Sequence, residues 1–172
     1  DVETTGLSPA YGDRVCEVAC VRLTGGVEVE RFVTLVDPGR PLSPGAAAVN
    51  GITAEMLAGA PPFTAIAHQF LSLLDGAVLV AHNAPFDLGF LAMELDIARM
   101  PPPEGEVVDT LTLARRVFGL PRNGLQAVAR ALQIDPGMAH RALGDACTTA
   151  ELLARILWEV ESRWGVRTLG EL

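Results

Sequence analysis

The 172-residue sequence predicts one α/β domain with a mixed central β-sheet flanked by helices, on three observations. Two alternating apolar runs, Arg14 to Thr24 and Val27 to Val36, meet at Gly25-Gly26, the glycine pair of a tight hairpin. Beyond residue 62, helix-spaced apolar stretches alternate with short apolar runs, as helices and buried strands of a layered domain do. The chain is 49% hydrophobic and 20% charged, which supplies apolar surface to offset the entropy of ordering one core, while its length is too small for two.

Each element follows from local chemistry. Asp1-Val2-Glu3 reads as the end of a strand and Thr4-Thr5-Gly6 as a turn; a strand of ordinary length calls for residues ahead of Asp1, so a truncated first strand is expected. The two hairpin strands should pair antiparallel. Asp37 to Pro62 contains five prolines and four glycines and reads as a long loop, with at most a short helix near Thr53 to Leu57. Phe63, Ile66, Ala67, Phe70 and Leu74 fall at helical spacing, and Asp75-Gly76 ends that run. Ala77 to Ala81 reads as a buried strand. Asn83 stands as N-cap of a helix with Pro85 in its first turn, running to about Arg99 before Pro101-Pro102-Pro103 stops it. A short strand at Glu106 to Val108 and helices at Leu111 to Phe118, Gly124 to Gln133 and Arg141 to Arg163 complete a single domain over residues 1–172. Residues 165–172 read as a tail with no core pattern.

Composition narrows the function. Thirteen basic residues, all arginine, stand against 21 acidic ones for a net charge of -8, which excludes a protein that coats duplex nucleic acid by charge. An acidic centre that binds divalent cations remains compatible with a phosphodiester substrate, since the cations neutralise it locally. Three cysteines without a CxxC pair indicate neither a disulfide framework nor a zinc site. No apolar run approaches the ~18 residues of a membrane helix, and the N-terminal residues lack the features of a secretory signal. A soluble, cytoplasmic protein with no membrane partner is the expectation.

The chemistry rests on acids. Asp1 and Glu3, two apart on a strand, send their carboxylates to one face. Asp87, in His82-Asn83-Ala84-Pro85-Phe86-Asp87, opens a helix that is apolar nearly all round, so a carboxylate turned inward there needs a cation or several donors. Asp145 heads the row Asp145, Thr149, Leu152 and Ile156, which should face the core. His140 lies five residues earlier, just past Pro136-Gly137, where an imidazole can reach a site from a loop. Any one of these alone is explained by solvent exposure or the helix dipole. Together, four carboxylates can ligate hard divalent cations, with a histidine nearby as base. Metal-assisted phosphoryl hydrolysis requires that set, and four negative charges with two divalent ions sum to zero.

Three ordered motifs, Asp1 to Gly6 (DVETTG), His82 to Asp87 (HNAPFD) and His140 to Asp145 (HRALGD), resemble the exonuclease motifs of the DEDD superfamily. The spacing H-x-A-x-x-D matches the His subtype; the Tyr subtype would place tyrosine where Arg141 stands. Val49 to Thr53, Ala60 to Phe63 and Leu79 to Asn83 extend the similarity over most of residues 1–157, and it is greatest to the proofreading epsilon subunits of bacterial DNA polymerase III and their stand-alone relatives. The resemblance implies a ribonuclease H-like fold, 3′-5′ exonuclease activity on single-stranded or frayed DNA ends, two Mg²⁺ or Mn²⁺ ions, and association with a DNA polymerase subunit. It assigns Asp1 to both metals, Glu3 and Asp145 to the one that activates water, Asp87 to the second, and His140 to proton abstraction. It places Thr5, Gly6 and Leu7 against the terminal nucleotide, with Leu7 as the wedge between the last two bases, and His82 and Phe86 as further lining. Asn50 stands where such relatives commonly carry histidine in V-H-G-I, at a 3′-end contact. A ribonuclease of the same superfamily and a non-catalytic polymerase-associated scaffold stay open as alternatives.

Other candidates have plainer readings. Asp109-Thr110 reads as an N-cap, Arg115, Arg116 and Arg122 as a solvated face, His68 as a surface or core histidine, and Trp158 and Trp164 as packing residues.

Overall fold

The computed structural model describes all residues 1–172. Strands β1 (Val2–Thr4), β2 (Val15–Thr24) and β3 (Val27–Leu35) form an antiparallel sheet in that order. Gly25 and Gly26 both adopt positive φ, the combination a two-residue turn of this twist requires, and they close β2 onto β3 with Thr24 opposite Val27. Strands β4 (Leu79–Ala81) and β5 (Val107–Asp109) pair in parallel. The expected mixed sheet is thus present as two hydrogen-bonded pieces. Between them runs an apolar groove of about 1050 Å³, bordered by Ala19 to Thr24 of β2 and Val78 to Ala81 at β4, with Asp1 on its wall.

Helices cover both sides of the longer sheet. Helices α3 (Phe63–Leu74) and α4 (Ala84–Ile97) pack on one face, where Val2, Val18, Phe32, Phe63, Phe70 and Phe90 form the larger core cluster. Helix α7 (Ala142–Trp164) lies on the other face, its Ala142 and Ala146 against Ala19. Buried on both faces, β2 reads as an unbroken buried run from Val15 to Ala19. A second core gathers β5, α5 (Thr110–Phe118), α6 (Leu125–Ala131) and the Leu152, Ile156 and Val160 row of α7.

Several expectations need correction. The stretch 37–62 contains two helices, α1 (Pro44–Asn50) and α2 (Ala54–Leu57). Ser43 accepts the Ala46 amide, Pro44 sits in the first turn, and Gly51 closes the C-terminus in left-handed geometry, so this is a fully capped helix hidden in a Pro/Gly-rich context. Residues 165–172 are no loose tail: Val166, Leu169 and Leu172 pack on the second core. Trp158 and Trp164 are 60% and 58% exposed and bury little, because they lie on the flank of α7 away from the row that begins at Asp145. Asn83 occupies the N-cap of α4 with φ +74, yet its side chain makes no capping bond. Asp109 Oδ1 serves instead, accepting from the Asn83, Ala84 and Leu111 amides, so one carboxylate caps both α4 and α5. The three cysteines are free, Arg115, Arg116, Arg122 and His68 are exposed, and no helix is long and apolar enough to cross a membrane.

Candidate active site

Strand alternation sends Val2 into the core and turns Asp1 and Glu3 toward α7. Register places Glu3 opposite Glu17 of β2, and a bulge after Glu3 bends the strand into the Thr4–Gly6 turn. The first turn of α7 brings Asp145 to the same place. Carboxylate oxygens of Asp1, Glu3 and Asp145 lie within 4.8 Å of one another. Asp87, in the first turn of α4, is buried beside them and accepts the Val2 amide at 3.0 Å through Oδ1.

Neighbouring residues hold Asp145 from both sides. Gln126 of α6 donates to Oδ1 at 2.7 Å, and the His140 amide donates to Oδ2 at 3.1 Å. His140 itself has φ +60 and an exposed side chain, directly before the helix. Gly144 lets the loop lie this close: a Cβ there would strike the Met138 carbonyl.

Burial is the main influence on these acids. Desolvation, followed by the charges of Asp145, Glu17 and Asp87, raises the Glu3 pKa from 4.5 to about 7, partly opposed by Arg141. Burial also raises Asp87, against the Val2 hydrogen bond, and raises Asp145 against His140 and Gln126. A raised carboxyl pKa means a protein most stable while Glu3 is protonated. In metal-free protein, stability is therefore expected to be highest below pH 4.5 as far as Glu3 is concerned, and to decline as pH rises towards 7. Mn²⁺ should reverse the decline by pairing the charges. Thermal melts from pH 5 to 8 with and without Mn²⁺ check this; a metal effect no larger at pH 8 than at pH 5 would contradict it.

The remaining predicted site residues fall into two groups. Leu7 is 85% exposed beyond the turn, free to meet a ligand, and Tyr11, 87% exposed, stands close by in sequence as a candidate the sequence reading missed. By contrast, Thr5, Asn50 and His82 spend their polar atoms inside the fold. Thr5 Oγ1 donates to Asp13 and accepts from the Arg14 amide, while Thr4 Oγ1 donates to the Gly6 carbonyl and tightens the turn. Asn50 is 4% exposed and accepts the Ile52 amide. His82 Nε2 donates to the Asn123 carbonyl at 2.8 Å and Nδ1 lies 3.0 Å from Thr110 Oγ1; burial lowers its pKa, opposed by the Asn123 bond. Phe86 packs on the core with its ring 5.0 Å from that of Phe90. Gln126 was not legible as a site residue, since nothing local links it to Asp145.

A ribonuclease H-like α/β fold with strand-borne and helix-borne acids gathered beside an exposed histidine defines a nuclease-type domain. The sequence profile of the Exonuclease family matches residues 1–153, and the chain belongs to that family, with the motif pattern of the His subtype of the DEDD superfamily. It is 44% identical over 176 residues to a DNA polymerase III subunit epsilon-like protein of Rhodobacter capsulatus, covering 99% of this chain and 25% of that protein. It is 39% identical over 158 residues to the 3′-5′ exonuclease DinG of Bacillus subtilis, covering 91% of this chain and 17% of the relative. The chain thus spans a quarter or less of these curated relatives. Among solved structures, Exonuclease X in complex with 5′ overhanging duplex DNA superimposes with a TM-score of 0.74 at 31% identity, over 97% of this chain and 92% of that one.

Proposed function

We propose that this domain is a divalent-metal-dependent 3′-5′ exonuclease that hydrolyses DNA from its 3′ end and prefers single-stranded or frayed termini. The observation that carries the proposal is the gathering of Asp1, Glu3 and Asp145 within 4.8 Å, with Asp87 buried alongside. The donor set fits hard cations: it is all carboxylate oxygen, largely desolvated, and Arg141, the cation that lowers the Glu3 pKa, is already engaged by Glu17. Asp1, Glu3, Asp87 and Asp145 would hold two Mg²⁺ or Mn²⁺ ions, which when bound supply Lewis-acid polarisation of the scissile phosphate and charge relief for the leaving oxygen.

The chain's own residues do the rest. His140, exposed at the mouth and tethered by its amide to Asp145, takes the proton from the attacking water through a ring nitrogen. Leu7 wedges beside the terminal base, which must leave its stack; that costs less when the base is unpaired or mispaired. Thr5, Asn50 and His82 brace the surrounding turns through their hydrogen bonds inside the fold. Similarity to polymerase-associated relatives favours work beside a DNA polymerase, as a subunit or as one domain of a longer protein.

Initial rates on 3′-labelled single-stranded, mismatched and blunt duplex DNA, with RNA alongside and with Mn²⁺ or Mg²⁺, test this reading. The expected order is single strand, then mismatch, then matched blunt end, each requiring metal. With net charge -8 the salt dependence should be shallow, since each neutralised phosphate adds about 0.7 to the slope on a single strand. His140→Ala should lower the rate about 10²- to 10⁴-fold with metal binding retained. Equal rates on all ends, or faster cleavage of RNA than DNA, would overturn the substrate assignment; an unchanged His140→Ala rate would overturn the base.

A further inference from the structure

We propose that Glu17 and Arg141 are positioning residues, which pin the segment carrying His140 to the strand opposite Glu3; the inference rests on the exonuclease reading above. Glu17 is 2% exposed on β2 and lies directly across from Glu3. Its carboxylate receives three donors from one short stretch of chain: Arg141 Nε at 3.0 Å, Arg141 Nη2 at 2.5 Å and the Ala142 amide at 2.9 Å. The residue before that stretch is His140, and the helix that follows presents Asp145, which in turn accepts the His140 amide. A bidentate guanidinium–carboxylate pair fixes orientation as well as distance, because its two parallel bonds hold a plane.

This arrangement solves two problems at once. His140 is exposed and held at φ +60, a conformation unfavourable for a residue with a Cβ, so neither burial nor backbone preference keeps it in place. Fixed points on either side do: the Asp145 contact at its own amide and the Glu17 clamp one residue on. Arg141 also neutralises Glu17, which would otherwise present a further buried negative charge to Glu3 across the strand pair. Neither residue needs to touch substrate; their effect runs through the placement of His140. Misplacement of a reacting group by about 1 Å can cost about 10²-fold in rate.

The test is a double-mutant cycle on the intact chain. Glu17→Gln/Arg141→Met removes both charges together and leaves a side-chain carbonyl for the Ala142 amide. Single-turnover rates on single-stranded DNA should fall about 10²-fold in this variant, with KM and the Mn²⁺ half-saturation unchanged. In a His140→Ala background the same pair of substitutions should produce no further fall. Amide exchange at His140 and Ala142 in metal-free protein should quicken, a readout that does not need turnover. A full-sized fall in the His140→Ala background, or unaltered exchange, would overturn the inference while leaving the exonuclease reading intact. Absence of turnover in the parent protein would instead overturn the exonuclease reading, with exchange still deciding whether the clamp exists. Should the double variant not fold, Arg141→Lys keeps the charge and loses the fork, and a fall that is masked by His140→Ala is expected there too; additive losses overturn the proposal.

Discussion

Asp87→Asn should lower turnover about 10⁴-fold or more while leaving the fold intact. Each 1.36 kcal/mol of lost transition-state stabilisation is a factor of ten, and a cation clamping the scissile phosphate contributes several kcal/mol. Asparagine is the right replacement because the protein partner of Asp87 Oδ1 is the Val2 amide, which a carboxamide oxygen can also satisfy. The substitution therefore subtracts a charge and keeps the acceptor for the Val2 amide. Burial already disfavours that charge, so metal-free Asp87→Asn should melt no lower than the parent. Single-turnover hydrolysis in saturating Mn²⁺, paired with thermal melts, separates the two effects. A variant within tenfold of the parent rate would remove Asp87 from the metal site.

The other large effect is on stability. Seven residues after Asp87, on the same face of α4, Glu94 is fully buried and receives Arg14 in a bidentate pair, both bonds 2.7 Å, together with the Val15 amide at 3.1 Å. Asp87 and Glu94 thus dock α4 on amides of the β1–β2 pair, one for each strand. Arg14→Met would leave Glu94 buried with a single donor, a change that costs about 3 to 5 kcal/mol. For a domain of this size that is a fall of roughly 6 to 20 °C in melting temperature. Adding Glu94→Met should recover most of the loss, because an apolar pair of similar volume removes the stranded charge, although the Val15 amide then lacks its acceptor. Denaturant melts of the single and double variants check this, and a single variant less than 1 kcal/mol below the parent would show that the pair is not stabilising α4.

Glu94 and Glu17 show where sequence stops being informative. Both look like ordinary charges on a helix or strand, and their partners, Arg14 and Arg141, lie far away along the chain. Gln126 is invisible for the same reason. Thr5, Asn50 and His82, placed by resemblance against the substrate, spend their polar atoms on backbone and side chains of the fold, a division that motif position alone does not reveal.

What the sequence determined by itself is whatever neighbouring residues enforce. The period of two put Asp1 and Glu3 on one face, the period of 3.6 turned Asp145 and its row inward, Gly25-Gly26 closed the hairpin, and Asp109 announced a cap. These depend on steric and hydrogen-bonding preferences that act over a few residues. The tertiary structure alone decided that Asp109 caps a second helix, that the sheet divides at an apolar groove, and that tryptophans on α7 face solvent. It alone also set three carboxylates within 4.8 Å. Such distances are fixed by packing between distant segments, where burial raises the free energy of each unpaired charge and the fold answers with partners drawn from across the chain.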